Sequence, residues 1–286
     1  MLETYYRDTA RSVVYTHIRD EKPVHADFHL HDQFEIYFFL SGDVNYFIEK
    51  KMYTLQYGDL LIMNGHEIHK PSFFTDAPYE RIVLQFDAAI AEALNSPSFN
   101  LLSCFVDRPS GEKNRLSLGR KQCEEILRLF DRIEDFGRDT SNGSDVMKLA
   151  CFLELLVYIN RVFSSTLPQE AAQVKVPEKL TPVLEYIDSN LDSDLTLEFL
   201  EHHFFINRFH LTRLFKKTTN SSLHEYIMYK RISTARKLLS QGSGVTEACT
   251  KSGFNDYSNF LRRFKRAVGV SPGSYRKTFL QDRRDS

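Results

Sequence analysis

The segment Arg213-Leu214-Phe215-Lys216-Lys217 returns 49 positions later as Arg262-Arg263-Phe264-Lys265-Arg266. Self-similarity at that spacing marks one supersecondary unit used twice. Each copy follows a short helical segment, a turn and a residue suited to cap a helix. In the first, Thr196-Leu197-Glu198-Phe199-Leu200 opens a helix and Asn207 caps the next. In the second, Thr246-Glu247-Ala248-Cys249 leads to Gly253-Phe254-Asn255-Asp256, from which a helix runs through Ser258 to Ala267. A short helix, a tight turn and a basic second helix make a helix-turn-helix. At about 100° per residue, Leu211, Leu214 and Phe215 share one face of the first basic helix, opposite Phe209, Thr212, Arg213 and Lys216. In the second, Phe260 and Phe264 form the apolar face, and Ser258, Asn259, Arg262, Lys265 and Arg266 project away from it. These two polar faces are the candidate contacts to double-stranded DNA. An Arg fork takes guanine O6 and N7 together, worth ~1–3 kcal/mol of base discrimination. Lys and the remaining Arg residues neutralise phosphates and make binding salt-dependent.

Charge is distributed to match. The 286-residue chain carries a net charge of −1, yet residues 1–179 hold 20 Lys+Arg against 27 Asp+Glu, a net of −7. Residues 180–286 hold 17 against 11, a net of +6. An acidic body with a basic end points to a polyanionic partner at that end alone. The content of 42% apolar and 26% charged residues excludes a disordered chain. No apolar run reaches the ~20 residues of a membrane span. Met1-Leu2-Glu3-Thr4-Tyr5-Tyr6-Arg7-Asp8 lacks the basic start and apolar stretch of a signal peptide, so a cytoplasmic location with no membrane contact is expected. Cys104, Cys123, Cys151 and Cys249 show no C-x-x-C spacing and read as reduced core thiols.

Residues 10–90 read as β: segments such as Phe34-Glu35-Ile36-Tyr37-Phe38-Phe39-Leu40 and Arg81-Ile82-Val83-Leu84-Gln85-Phe86 lie between turn signals at Ser41-Gly42-Asp43, Tyr57-Gly58-Asp59 and Asn64-Gly65. Many short strands favour a sandwich or barrel. From about 115 the period becomes helical, with Cys123, Ile126, Leu127, Phe130 and Ile133 on one helix. A second carries Val146, Leu149, Leu153, Leu156, Val157, Ile159 and Phe163, with Ser144 or Asp145 as its N-cap. Phe152 and Val162 fall outside its main stripe, so it is expected to pack on two sides, within the chain or across a dimer. Residues 164–178, with two prolines and little periodicity, read as a linker. Everything beyond is helical up to a frayed end at 281–286. The expected fold class is α+β multidomain. It has a barrel over 1–110, a two-helix dimerisation segment over 111–165, a linker over 166–178 and an all-α domain with two helix-turn-helix units over 179–286.

Residues ~180–280 resemble the DNA-binding domain of the AraC/XylS family of bacterial transcription regulators. The resemblance rests on Gly253-Phe254, Ser258, Phe260, Arg263-Phe264-Lys265, Gly269-Val270-Ser271-Pro272 and Tyr275-Arg276 in the second unit. A linking helix from Leu223 to Leu239, with Arg231, Ala235 and Leu238-Leu239, completes it. The resemblance implies that Arg213 and Arg262 hold the commonest base-contacting positions and enter successive major-groove segments. Two positions depart: Glu201 stands where the family usually has a small Ala, and Phe205 where its turn usually has Gly. An altered angle of the first unit and a shifted register that leaves Glu201 exposed both remain open.

In the strand-rich region, His29-Leu30-His31-x-x-x-Glu35 precedes Gly42 by six residues, and His69 follows the run Gly58-Asp59-Leu60-Leu61-Ile62-Met63. Alternation along a strand puts His29, His31 and Glu35 on one side, and two or three His with a carboxylate suit Zn, Fe or Mn. The spacing resembles the first motif of the cupin superfamily of small β-barrels, H-x-H-x-x-x-E-x6-G. Asn64-Gly65-His66 replaces the Pro/Gly turn of the second motif. Three readings stay open for His29, His31, Glu35, Tyr37 and His69: an effector pocket, a core hydrogen-bond network, or a metal site built from His29, His31, Glu35 and His69. Tyr37, Tyr46 and Phe47 offer stacking surface for a sugar and equally read as core. No P-loop, G-x-G-x-x-G or G-x-S-x-G stands out.

The leading expectation is a DNA-binding regulator, not an enzyme, with no cofactor, controlled by a small-molecule effector in the barrel. The two-sided second helix together with the resemblance implies a homodimer on direct-repeat half-sites, and family resemblance alone implies RNA polymerase as partner, activation over repression, and a carbohydrate as the commonest effector class. The alternatives are a metal-dependent cupin enzyme with a DNA-binding tail, and an interaction module whose helix-turn-helix no longer binds DNA.

Overall fold

Runs of aromatic and β-branched residues cut by turns form strands because such side chains fill a pleated, half-buried surface. The structure, a computed structural model, describes residues 2–8, 13–24, 26–165, 173–174 and 176–282. Its strands are β1 (Leu2–Asp8), β2 (Val13–Asp20), β3 (Phe34–Ser41), β4 (Val44–Ile48), β5 (Lys51–Thr54), β6 (Asp59–Met63), β7 (His69–Phe73), β8 (Tyr79–Phe86), β9 (Arg115–Ser117) and β10 (Gln173–Val174). Short helices α1 (Ala88–Glu92) and α2 (Ser103–Val106) precede β9. The strands form a six-stranded sheet, β1-β2-β8-β3-β6-β9, and a four-stranded sheet, β10-β5-β4-β7, paired antiparallel throughout.

Strand β3 shows why the sheets stack. Ile36 and Phe38 point one way and Tyr37 and Phe39 the other, and none is more than 2% exposed. Tyr37 and Phe39 join Leu61, Met63 and Tyr79 against Tyr46, Ile48 and Tyr53 of the four-stranded sheet. Ile36 and Phe38 join Leu60, Ile62 and Leu84 under α3 (Arg120–Arg138) and α4 (Ser144–Ser165). Each such side chain contributes ~1.5–3 kcal/mol by leaving water.

The side of α4 that carries Phe152 and Val162 is taken up within the chain, whereas in the main stripe Val146 is exposed and Leu149, Leu153 and Val157 are half-buried. Phe152 lies 5.0 Å from the Phe86 ring and Val162 is buried. Asn160 accepts the Cys104 N–H (2.9 Å) and donates to Leu101 O (2.8 Å), tying α4 to α2. The expected caps shift by one or two positions. The carbonyl of Gly143 accepts from Met147 N–H, so Ser144 and Asp145 are the first two helical residues. All four cysteines are free and buried.

The C-terminal part comprises α5 (Thr181–Ser189), α6 (Leu197–Phe204), α7 (Arg208–Thr219), α8 (Leu223–Ser240), α9 (Val245–Lys251), α10 (Tyr257–Val268) and α11 (Pro272–Asp282). Side chains cap these helices where the sequence placed them. Thr196 accepts from Phe199 N–H (3.3 Å), Asn207 from Phe209 N–H (3.0 Å), and Asp256 from Asn259 N–H (2.9 Å). Helices α6–α7 and α9–α10 are the two helix-turn-helix units, and α8 joins them. Of the expected linker, residues 166–172 and 175 lie outside the described residues, and Gln173–Val174 pair with β5. Of the expected frayed end, 283–286 lie outside them as well, while α11 runs to Asp282.

A fourth layer completes the architecture. The far face of the four-stranded sheet, with Phe47 and Met52, joins Phe28 and Ile68 in one cluster with Leu184, Leu223, Tyr226 and Ile227. Polar ties surround it: Lys70 Nζ donates to Ser221 Oγ (2.6 Å), Ser72 Oγ to Thr219 O (2.9 Å) and Ser233 Oγ to His66 O (2.8 Å). Lys230 pairs with Glu49 and Asp188, and Asp32 accepts from both Arg236 and Tyr275. The strand layers therefore bear directly on α8.

Candidate nucleic-acid interface and buried histidine cluster

Helices α7 and α10 divide their residues as a groove-entering helix must. Leu211, Phe215, Phe260 and Phe264 are fully buried, Leu214 is half-buried, and Arg213, Lys216, Ser258, Arg262, Lys265 and Arg266 are exposed. Thr212 and Asn259 are half-buried and Phe209 is 71% exposed. Arg262 Nη2 donates to Asn259 Oδ1 (3.0 Å), which aligns the guanidinium along the exposed face. Arg208, which sequence reasoning did not single out, lies over the Phe209 ring at 5.3 Å and pairs with Glu198.

The two departures in the first unit have physical accounts. Glu201 is half-buried, and its Oε1 accepts Arg208 N–H (3.2 Å) at the start of α7, where a carboxylate offsets the helix dipole. Phe205 ends α6 in the left-handed conformation (φ 52°) and is 96% exposed. It holds the backbone shape that glycine adopts without strain.

In the strand layers the structure brings His31, Glu35 and His69 together, with ligand-capable atoms all within 4.8 Å. Strand alternation is not the cause, since β3 begins only at Phe34. His29 is a single bridge residue whose N–H donates to His69 O (2.9 Å), and this fixes the approach of the two segments. Gly65 allows it: a Cβ there would lie 2.4 Å from Asp32 O. His31 Nδ1 donates to Gln33 O (2.9 Å) and His69 Nδ1 to Glu67 O (2.9 Å). A carbonyl only accepts, so in the neutral rings the lone pair sits on each Nε2. His31 Nε2 is 3.1 Å from Glu35 Oε2 and His69 Nε2 is 3.8 Å from Oε1. Both are ionic-range approaches, and neither buried Nε2 finds a hydrogen-bond partner among the described residues. Gln85 donates to Glu35 Oε2 (2.7 Å).

Electrostatics polarise the cluster. Burial alone would raise the Glu35 carboxyl, but the adjoining His31, the charge of His69 and the Gln85 amide hold it at about 2. Burial pulls His69 down to about 4 against the opposing pull of Glu35, whereas for His31 burial is outweighed by Glu35 and the pKa rises. His29 stands apart: its ring stacks on His69 (5.7 Å, 23°), which Tyr46 flanks at 6.2 Å and 16°, and burial lowers its pKa. Tyr37 is drawn into the packed layer between the sheets, its ring 4.8 Å from Tyr46 and its hydroxyl on Tyr79. Asp32 and Lys70 gave no sequence signal beyond their adjacency to His31 and His69, yet Asp32 reaches Arg236 of α8 and Lys70 reaches Ser221 beside it.

Comparison with known proteins gives two family matches, an AraC-like ligand binding domain over residues 12–148 and a helix-turn-helix domain over residues 200–278. The chain is 33% identical over 100 residues to the multiple antibiotic resistance protein MarA of Escherichia coli, covering 35% of this chain and 79% of MarA. It is 22% identical over 256 residues to the transcriptional activator RhaR of Mannheimia succiniciproducens, covering 88% of each. Among solved structures, an apo ToxT variant from Vibrio cholerae aligns over 94% of this chain and 98% of its own at 15% identity, with a TM-score of 0.40.

Proposed function

This chain belongs to the AraC family of DNA-binding transcription regulators and carries that family's ligand-binding domain, and from that premise we propose that an effector held in the strand layers controls how it binds DNA. The observation that carries the reading is the covalent adjacency of the buried cluster to the contacts on the DNA-binding half. Asp32 follows His31 and accepts from Arg236 of α8 and Tyr275 of α11, and Lys70 follows His69 and donates to Ser221. An effector that binds one arrangement of these segments better than another shifts the population of the helical half by that difference in affinity.

In this reading Arg213 and Arg262 read bases, with Phe209, Thr212, Ser258 and Asn259 beside them, and Lys216, Lys265 and Arg266 hold phosphates. His29, His31, Glu35, Tyr37 and His69 form the effector region. The chain acts in the cytoplasm as a homodimer through the outer faces of α3 and α4. It activates transcription in contact with RNA polymerase, and it is not an enzyme. The domain boundaries are those set out from the sequence, except that Arg115–Ser117 and Gln173–Val174 pair into the two sheets and so belong to the strand layers. The packed tyrosines between the sheets favour a compact polar effector over a carbohydrate.

Selection of duplexes from genomic fragments, then footprinting of the purified chain at two salt concentrations, tests it. Two protected major-groove segments about one helical turn apart are expected, with binding that weakens steeply as salt rises. Binding that ignores salt, or a footprint unchanged by Arg262→Ala, refutes the DNA-reading assignment.

A further inference from the structure

We propose that the cleft between the two helix-turn-helix units is a binding site for a free amino acid with an apolar side chain, and that its occupancy changes the affinity of the chain for DNA. The cleft measures about 440 Å³, within the ~300–1,000 Å³ of small-molecule sites. Three parts of the helical half enclose it: the loop 192–196 ahead of α6, the first half of α8, and the α9–α10 turn with the near edge of α10. These walls press on one another. A Cβ on Gly253 would lie 1.9 Å from Leu191 O and 2.8 Å from Arg231 Nε. Arg231 in turn donates from Nε to Leu191 O (2.9 Å) and from Nη2 to Ser193 O (2.9 Å). Turn, loop and α8 are thereby locked, and a ligand need not order its own walls.

The floor is apolar, with Leu195, Ile227 and Phe254 buried and Met228 half-buried. Charge of both signs stands around it. Arg263 is half-buried and has neither a hydrogen bond nor an ion pair among the described residues, whereas the neighbouring Arg262 is held by Asn259. Asp194 and Asp256 each use one oxygen to accept a backbone N–H, of Thr196 and Asn259. The other oxygen of each has no partner among the described residues. A half-buried cation and two carboxylates that line one cavity without pairing are satisfied together by a molecule carrying both charges. A guanidinium takes a carboxylate by two parallel N–H bonds, a carboxylate takes an ammonium, and the floor takes an apolar side chain. An amino acid presents all three in one small body. A plain carboxylic acid would leave Asp194 and Asp256 unmatched, and a plain amine would leave Arg263 so.

The consequence for DNA rests on the regulator reading above. Asn259, beside Arg262 on the base-reading face of α10, also lines the cleft, and the loop that opens the first unit is the opposite wall. An amino acid that bridges the two walls fixes the separation of the units, and with it that of the DNA segments they enter. Linkage is reciprocal, so DNA changes the affinity for the amino acid by the same factor as the amino acid changes the affinity for DNA.

The test is isothermal titration calorimetry of the full chain with L-leucine, L-methionine and L-phenylalanine. Isoamylamine and 4-methylpentanoate serve as probes that lack the carboxylate and the ammonium. One molecule per chain is expected for at least one amino acid, with both probes binding ~10-fold or more weakly. Affinity also falls ~10-fold or more in Arg263→Gln and in Asp256→Asn. Asn still caps α10, and circular dichroism with urea unfolding establishes that both variants are folded. No saturable binding of the three amino acids up to ~10 mM overturns the site, as does parent-like affinity in either variant. Binding that survives in both and is lost in Glu35→Gln puts the molecule in the strand layers and likewise overturns it. Equal DNA affinity with and without saturating amino acid overturns the coupling. DNA binding without amino acid is scored separately, so failure of the site and failure of the regulator reading are told apart.

Discussion

Substituting Asp32 should separate the strand layers from α8 more than its surface position suggests. Arg236 is buried, with a side chain 1% exposed, and Asp32 is its charged partner. Its Nε and Nη1 find no hydrogen-bond partner among the described residues. Breaking a buried pair by removing one member costs ~3–5 kcal/mol, because the other charge is left unpaired in low dielectric. The Asp32 side chain is 42% exposed, so water entering the gap reduces this to ~2–3 kcal/mol. That corresponds to ~30–150-fold in the equilibrium between packed and separated halves. Arg236→Met should cost less, since it leaves a carboxylate that can rehydrate. Adding Asp32→Ala to Arg236→Met should cost little more, for a coupling of ~2–3 kcal/mol. The assay is amide hydrogen exchange with urea unfolding on all four proteins, and faster exchange in α8 and α11 is expected for Asp32→Ala. Exchange in those helices equal to the parent, with stability within ~0.5 kcal/mol, refutes the argument that Asp32 anchors the two halves.

Other outcomes follow from the same geometry. Glu67→Gln should destabilise the strand layers by ~3–5 kcal/mol in urea unfolding, because Arg108 then lies buried without its carboxylate. The native pair is bidentate (2.6 and 2.7 Å), and Glu67 also accepts from Gly111 N–H (2.7 Å) and Asn114 Nδ2 (3.0 Å). Phe205→Gly should stabilise by ~0.5–1 kcal/mol, since relief of a ~1–2 kcal/mol left-handed strain exceeds the added chain entropy; a lower melting temperature contradicts this. Arg262→Ala should weaken specific DNA binding by ~1–3 kcal/mol and relax one base position, while Lys265→Ala lowers the salt slope by about 1 with no change in preferred sequence.

The helical half was legible because its signals are local. Thr196, Asn207 and Asp256 each accept backbone N–H groups within three residues, so capping chemistry and helical period locate the units without tertiary information. The sequence singled out His31, Glu35 and His69, but grouped them with His29 and Tyr37, which lie apart from the three converging ligand-capable atoms, and for a partly mistaken reason. Residues 29–33 are not a regular strand, and convergence comes from the His29–His69 bridge and the space left at Gly65. Such contacts join segments about 40 positions apart and leave no periodic trace. Glu201 looked out of place against a small-residue rule, because its use as an acceptor for the first N–H of α7 depends on how α6 approaches that helix.

The contact between the strand layers and α8 is the least local feature, yet one segment did carry its signature. In β4, Val44, Tyr46, Phe47 and Ile48 are all buried, with Tyr46 turned to the six-stranded sheet and Phe47 to Tyr226 of α8 at 6.0 Å. An antiparallel strand with a solvated face alternates apolar and polar residues, whereas one covered on both faces reads as a continuous apolar run. Tyr46-Phe47-Ile48, followed after the Glu49-Lys50 turn and Lys51 by Met52-Tyr53, is such a run, and taking its aromatics only as sugar-stacking surface or core left open what covers the second face. The cover is the helical half itself. Any effector that rearranges the residues between the two sheets therefore acts on a strand whose opposite side chains already touch the helix that joins the two DNA-reading units.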